Sequence, residues 1–365
     1  MKLRLFSFLL LFCASGVYAQ RDFYKSLENV RLENKTLYYE NRVQRNQSLV
    51  FLSAAKEYSY VDQFVPLIQG RPVAQYNLDS AGEIHVMPKV GRLSNPNKFF
   101  KRYKYEIILA PQFSVYFGNL AKSIQSKTNV LLQTQLILPA GLALNTGLTI
   151  PIINDLDDQP LNLRLAPTFL NQFIPMPNYH YVSWSVGSFY QDRYGVDVQY
   201  QHADPESPWS YGIEGAYTGV YYWYPQNLLR YTKLNDVMVL ANVNYRFYKT
   251  NTLLKLSGGQ FLYNDRGARI ELMRQFTKAD IGLFGVMSGN GATVGVHLAF
   301  GIPPGPILEG ERTRIRTTEE FRWEYTYARG YSIGERFRVG YRLEERLALY
   351  HKNYWKLAQQ RSTNK

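Results

Sequence analysis

The sequence predicts an all-β protein: an antiparallel transmembrane β-barrel of about 12–14 strands with a C-terminal amphipathic helix. Three observations carry that expectation. Segments of about 9–11 residues with period-two alternation recur from Tyr103 to Phe300, which is the pattern of strands with one apolar and one polar face. Aromatic residues make up 15% of the chain, with 30 Tyr and 20 Phe, and these favour pleated, half-buried surfaces and membrane–water boundaries. Outside the N-terminus, no stretch reaches about 18 consecutive apolar residues, so a membrane-spanning structure would have to be a closed barrel.

The clearest element is ADIGLFGVMSGNGATVGVHLAFGIP, Ala279 to Pro303. In its second half Ala292, Val294, Val296, Leu298 and Phe300 fall on one face, and Thr293, Gly295, His297 and Ala299 on the other. Ser288-Gly289-Asn290-Gly291 tolerates the positive φ of a tight turn, so the pair reads as a β-hairpin. A soluble sandwich and a lipid-facing barrel both make such a strand. The other predicted strands are Tyr103–Phe117, Val130–Leu138, Leu142–Ile150, Leu161–Leu170, Tyr179–Tyr190, Gly195–His202, Ser210–Trp223, Val237–Tyr248, Leu253–Leu262 and Ala268–Phe276. Arg193, Asp197, Glu214, Arg246, Arg269 and Glu271 lie on their polar faces, which are otherwise rich in Gly, Ser, Asn and Tyr. That composition suits a filled lumen better than a solvated face. Aromatics at strand ends (Phe99-Phe100, Tyr179 to Tyr181, Trp184, Tyr221 to Tyr224) read as an interfacial girdle. Most links look short, with longer ones at Asn154–Pro160, Ala203–Trp209 and Tyr224–Asp236.

Residues 1–19 read as a signal peptide: Lys2 and Arg4, an apolar core from Leu5 to Phe12, and Val17-Tyr18-Ala19 as the cleavage pattern. A lipoprotein site at Cys13 fits poorly, because Phe12 stands where a small residue is wanted. Cys13, the one cysteine, leaves with the signal, as suits a bacterial envelope protein. Loss of Lys2 and Arg4 lowers the formal net charge from +13 to +11, a balance that favours anionic partners. Residues 20–100 read as an N-terminal β segment or the first barrel strands. It has a polar, weakly helical stretch at 21–33, strands at Leu37–Glu40, Ser48–Leu52 and Gly82–Val90, and a loop at Arg92–Lys98. Residues 101–306 form the barrel, ended by Ile302-Pro303-Pro304-Gly305-Pro306.

The tail, 307–365, carries 13 Lys/Arg against 8 Asp/Glu. Phe321, Trp323, Tyr325 and Tyr327, then Phe337, Val339 and Tyr341, alternate as in a further hairpin. Leu343, Leu347, Tyr350, Tyr354 and Leu357 then fall on one helical stripe, which packs on the body of the protein or lies on a membrane surface.

Chemistry is sparse. His85, His180, His202, His297 and His351 share no metal-ligand spacing, and His297 reads as a hydrogen-bonded lumen histidine. His202-Ala203-Asp204 could be half of a dyad, but no Gly-x-Ser-x-Gly elbow or P-loop accompanies it. A Ser–His pair on neighbouring strands would be visible only in three dimensions. Asp155, Asp157 and Asp158 could hold Ca²⁺ weakly, but without EF-hand spacing a solvated turn is the better reading. The expectation is therefore a protein without catalytic residues, metal or cofactor.

The aromatic strand series, its end at ADIGLFGVMSGNGATVGVHLAFGIPP and the signal-bearing N-terminus together resemble the YjbH family, over Tyr103 to Pro306. The resemblance implies a bacterial outer-membrane barrel tied to exopolysaccharide production, with periplasmic and lipoprotein partners of an export system. Physically compatible partners are outer-membrane lipid and an anionic polysaccharide, since aromatic faces stack on sugar rings and basic surfaces attract acidic polymer. The export signal argues against nucleic acid. A structural or adhesin-type barrel with a plugged lumen, and a secreted soluble glycan-binding β-protein, are the competing expectations.

Overall fold

The computed structural model describes residues 27–363 apart from 80–81, 89–104, 118–123, 158, 225–227, 302–305, 327–331 and 341. The signal region, the Arg92–Lys98 loop, Phe99-Phe100 and Tyr341 lie outside the described residues. The protein is mostly β, in two sheets.

The first sheet is small and N-terminal: β1 (Glu28–Glu33), β2 (Thr36–Glu40), β3 (Gln63–Ile68), β4 (Arg71–Pro72), β5 (Tyr76–Leu78) and β6 (Ile84–Val86). It is not part of the larger sheet, so the reading of this region as first barrel strands is corrected. Helix α1 (Gln47–Glu57) packs on it, where the sequence reading placed a strand at Ser48–Leu52. Asn46 decides the matter locally. Its side chain accepts from the backbone N–H groups of Ser48 and Leu49, capping the first turn. Val50, Phe51 and Ala54 then fall on one buried face. The stretch read as weakly helical holds strand β1.

The second sheet contains twelve strands of eight residues or more among the described residues. These are β7 (Tyr105–Phe117), β8 (Ile124–Ile137), β9 (Leu142–Asn154), β11 (Phe169–Met176), β12 (His180–Phe189) and β13 (Arg193–Ala203), then β14 (Trp209–Trp223), β16 (Asp236–Phe247), β17 (Thr252–Gln260), β18 (Arg266–Gln275), β19 (Ala279–Ser288) and β20 (Gly291–Phe300). Two short strands, β10 (Arg164–Leu165) and β15 (Leu229–Tyr231), sit in the loops between them. The predicted strand at Leu161–Leu170 is displaced: pairing with β12 starts at Phe169 and runs on through Pro175 to Met176.

Each long strand pairs antiparallel with the next, and the strand order returns to its start as a closed barrel. The seam uses the chain beyond Pro306: β21 (Pro306–Glu309), β22 (Thr313–Thr317) and β23 (Phe321–Thr326). β23 pairs antiparallel with β20, and β22 pairs parallel with β7. Twelve alternating strands and this broken thirteenth, running the same way as β7, leave a parallel closing pair. An even, wholly antiparallel ring would have no such pair.

The two faces of the barrel are inverted relative to a soluble protein. Leu283, Met287 and Val294 are 64%, 76% and 65% exposed, and Val196, Ile213, Val239, Leu256 and Ile270 also point outward. Asp197, Glu214, Lys255, Arg269, Glu271 and His297 are buried inside. Every charge assigned to a polar face by alternation (Arg193, Asp197, Glu214, Arg246, Arg269, Glu271) is inward and buried. Outward aromatics gather toward both ends: Tyr217, Tyr222 and Tyr231 at one, Trp209, Tyr211, Phe247 and Phe300 at the other. Tyr181 and Tyr221, read as girdle residues, turn inward and are buried.

The connections are asymmetric. Links 138–141, 177–179, 204–208, 248–251 and 276–278 are short and share one end, while the other carries the long links 155–168 and 224–235 beside the short ones 190–192, 261–265 and 289–290. The N-terminal sheet sits against the short-turn end: Tyr181 Oη donates to the Val73 carbonyl at 2.7 Å and Asn46 Nδ2 to that of Thr277 at 2.6 Å. Two C-terminal helices, α2 (Leu343–Ala348) and α3 (Lys352–Thr363), complete the arrangement, where the sequence reading had one helix. Leu343, Leu347, Tyr350 and Tyr354 of the predicted stripe are buried in one core with α1, the small sheet and Phe173 and Tyr181 of the barrel. The stripe therefore packs on the body of the protein.

His351 joins the two helices. Its Nε2–H donates to the Ser207 carbonyl at 3.0 Å, and its Nδ1 accepts from the Asn353 N–H at 3.0 Å. The second bond needs a neutral ring, since a protonated Nδ1 cannot accept. Burial, reinforced by the Arg246 charge, holds its pKa well below the ordinary histidine range. In the unfolded chain the ring titrates near ~6.5, so below that value the unfolded state binds more protons and stability falls with pH. Docking of α2 and α3 is expected to be full above about pH 7 and weakened toward about pH 5, read by limited proteolysis of the C-terminus. His351→Gln should flatten that dependence.

Candidate functional site: a polar cavity inside the barrel

The interior is divided into a packed half and an open half. Apart from position 341, the chain from Gly334 to Leu349 runs inside the barrel without joining the sheet. The Gly334 N–H donates to Asp265 Oδ2 at 2.8 Å, Arg336 pairs with Glu214 at 2.5 Å, and the Leu343 N–H donates to Gln199 Oε1 at 2.7 Å. Phe337 is buried against Phe189, with ring centroids 5.4 Å apart, in a cluster with Met238, Phe261 and Leu262. The sequence reading took Phe337 and Val339 as part of a strand. Their alternation is real, but it reports an extended backbone and not a ladder partner.

Ion pairs fasten this segment to β14, β17 and β23. Glu345 takes Arg322 at 2.9 Å, and Lys255 lies 3.7 Å from Glu344. Arginine neighbours, Arg322 foremost, outweigh the burial penalty and hold the Glu345 carboxyl well below the usual carboxylate range. His297 is buried in the same network: Nδ1 lies 2.8 Å from Glu271 Oε1 and Nε2 3.3 Å from Arg322 Nη1. Between Lys255, Arg269, Glu271 and Arg336 only about 10 Å³ is left, room for about one water.

Against β7 to β12 the lumen stays open, as a cavity of about 390 Å³. Its residues come from both ends of the barrel: Asn41, Arg45 and Gln69 on the N-terminal sheet side, Tyr190 and Gln191 at the opposite turn. The barrel wall contributes uncharged polar groups: Gln112, Gln133, Gln135, Asn145, Asn171, Ser183 and Ser185. Several are tied to each other, Gln135 Nε2 to Asn145 Oδ1 at 2.9 Å and Asn171 Nδ2 to Ser183 Oγ and Ser185 Oγ, both at 2.9 Å. The facing surface is cationic, with Arg42, Arg45, Arg316, Arg322, Arg338 and Arg346, offset by Glu319, Glu320 and Glu324. Fixed amides, hydroxyls and guanidinium groups around a wet space can bind and orient a hydroxylated or anionic guest.

No other predicted candidate forms a site. His202 stacks with His180 (centroids 4.5 Å) and Tyr211 (4.9 Å) on the outer surface, while Asp204 Oδ1 accepts from the Glu206 N–H, so the two do not make a dyad. His85 pairs with Asp79 at 3.0 Å on the small sheet. His351 meets Ser207 only at its backbone carbonyl. In the acidic loop, Lys127 Nζ lies 2.7 Å from Asp157 and 3.2 Å from Asp192, so a lysine supplies the cation there; Asp158 lies outside the described residues. No group of three or more His, Cys, Asp or Glu is arranged for a metal among the described residues. The cavity itself was not legible in advance. Its amides were visible as polar faces of strands, but the segment that halves the lumen lies more than a hundred residues further along the chain.

No curated protein and no solved structure matches the chain. The family model for YjbH, described as exopolysaccharide biosynthesis protein YbjH, matches residues 159–286. That span runs from the β9–β11 link into β19 and is narrower than the Tyr103 to Pro306 likeness read from the sequence. Over these central strands the resemblance is borne out: residues 159–286 are similar to the YjbH exopolysaccharide biosynthesis family.

Proposed function

We propose that the protein is a non-enzymatic outer-membrane β-barrel that acts in export or assembly of surface exopolysaccharide. The family match supplies the exopolysaccharide role. The observation that carries the membrane reading is the inverted barrel, with a continuous outward apolar surface around a charged interior. No helix among the described residues is long and apolar enough to cross a bilayer. In such barrels short turns face the periplasm, which puts the N-terminal sheet, α2 and α3 on that side, within reach of periplasmic or lipoprotein partners. The open half of the lumen is then the place where a glycan chain meets the protein.

Deletion of the gene should abolish surface polysaccharide while leaving outer-membrane permeability to large antibiotics unchanged. Unchanged polysaccharide would remove the export reading. The segment from Gly334 to Leu349 favours a second reading, a structural barrel with a filled lumen, for which the same deletion would weaken the envelope and spare the polysaccharide.

A charge on the outer belt gives a sharper test of the membrane setting. Leu283→Arg, at a position 64% exposed near the middle of β19, is expected to cost about 2–4 kcal/mol in a bilayer. In a soluble protein the same change at an exposed site stays within about 0.5 kcal/mol. Denaturant titration of the protein folded into lipid vesicles separates the two.

A further inference from the structure

We infer that the open half of the lumen is a binding site for carboxylated sugar residues, with Arg338 and Arg346 as the groups that receive the carboxylate. The inference rests on the exopolysaccharide reading and specifies the chemistry of the polymer. Most arginines around the cavity are committed at close range: Arg42 to Glu106 at 3.2 Å, Arg45 to Glu320 at 2.5 Å, Arg316 to Glu106 at 2.5 Å and Arg322 to Glu345 at 2.9 Å. Two are not. The Arg338 side chain is 30% exposed and 3.7 Å from Glu345, whose carboxylate already serves Arg322. Arg346 lines the same cavity and closes no ion pair among the described residues; its charge is felt by Glu40 and Tyr350. Both project from the inserted segment, opposite the uncharged wall of β7 to β12.

Unused cations alone would suit any anion. The cavity also carries unused acceptors. Gln47 Oε1 and Gln69 Oε1 are buried with no hydrogen-bond partner, on residues that line it, while Gln69 Nε2 is spent on Asn171 at 2.6 Å. Such oxygens call for hydroxyl donors on the guest, which sulfate lacks at neutral pH. A uronic acid has both parts: hydroxyls that donate to amide oxygens and accept from amide N–H groups, and a planar carboxylate that a guanidinium grips with two parallel bonds. The volume falls within the range of about 300–1,000 Å³ that encloses small ligands, enough for a short run of rings and not a folded partner.

The test is calorimetric titration of the full protein in detergent with hexagalacturonate, maltohexaose and sodium sulfate. Hexagalacturonate should bind at least about tenfold more tightly than maltohexaose, and more weakly as salt is raised. Arg338→Gln and Arg346→Gln should each weaken the uronate about five- to tenfold and leave maltohexaose unchanged. Neither arginine makes a close ion pair, so both variants should keep the circular dichroism of the parent. Equal binding of the two sugars, or uronate binding indifferent to both substitutions and to salt, overturns the assignment. So does sulfate displacing the uronate at equal concentration. Any of these results alongside loss of polysaccharide in the deletion strain would overturn the carboxylate inference alone; an intact polysaccharide in that strain would remove the broader reading beneath it.

Discussion

Trp355→Ala is expected to release the N-terminal sheet and the C-terminal helices from the barrel without opening the barrel itself. Trp355 has no solvent exposure, lies 4.1 Å from Tyr76 and 4.8 Å from Phe51 between ring centroids, and donates its Nε1–H to the Leu349 carbonyl at 2.8 Å. It is the point where α1, the small sheet and the α2–α3 turn meet. Removal of a large buried aromatic costs about 3–5 kcal/mol, because the cavity left cannot collapse among rigid rings. That is a large share of what holds a small module in place. Limited proteolysis should cut between the module and the barrel in Trp355→Ala, and much less in Trp355→Phe, while the strand signal in circular dichroism persists. A cleavage pattern equal to the parent's would mean the module is held by its ion pairs and not by this core.

Glu106→Ala is expected to destabilise the seam by about 3–5 kcal/mol. Glu106 on β7 lies 2.5 Å from Arg314 and from Arg316 on β22, and 3.2 Å from Arg42 of the N-terminal region. Glu28 of β1 pairs with both Arg42 and Arg314. Two carboxylates thus hold three buried guanidinium groups where the parallel pair closes the ring. Taking one away leaves buried positive charge with too little compensation, and that costs more than the pairs contribute when intact. The double change Glu106→Gln with Arg316→Gln should recover much of the loss, since neutral partners can still hydrogen-bond. The midpoint of thermal unfolding in detergent checks both. A single substitution that moves it no more than the double one would show that solvent screens the network.

In β13 and β20 the alternation is unbroken, and these strands and β16 to β19 lie within about two residues of where period two placed them. Side chains there face either apolar surroundings or the charged interior, so the pattern carries the fold. Where the environment is mixed, the pattern fails. Ser48 to Leu52 looked like a strand because its apolar run is short; the Asn46 cap and the buried Val50, Phe51 and Ala54 spacing were the missed signal. Pro175 and Pro177 discouraged a strand through 169–176, although β11 tolerates Pro175 one residue from its end.

The candidate site was less legible still. Alternation places Gln133, Asn145 and Asn171 on polar faces, and nothing local says that a chain segment from 334–349 will leave them facing a cavity. Arg338 and Arg346 are eight residues apart. Their convergence on one space is a product of threading the tail back through the barrel, a long-range event with no local periodicity to announce it.

The proposed membrane setting requires the apolar outer surface to face lipid. The most direct measurement is heat-modifiability of the protein in isolated membranes: separation of inner and outer membranes, extraction in detergent, and electrophoresis with and without boiling. A lipid-embedded barrel should appear as a species confined to the outer-membrane fraction that resists carbonate and urea and changes its migration only on boiling. A protein released by carbonate or urea without detergent, with one mobility before and after heating, would contradict it.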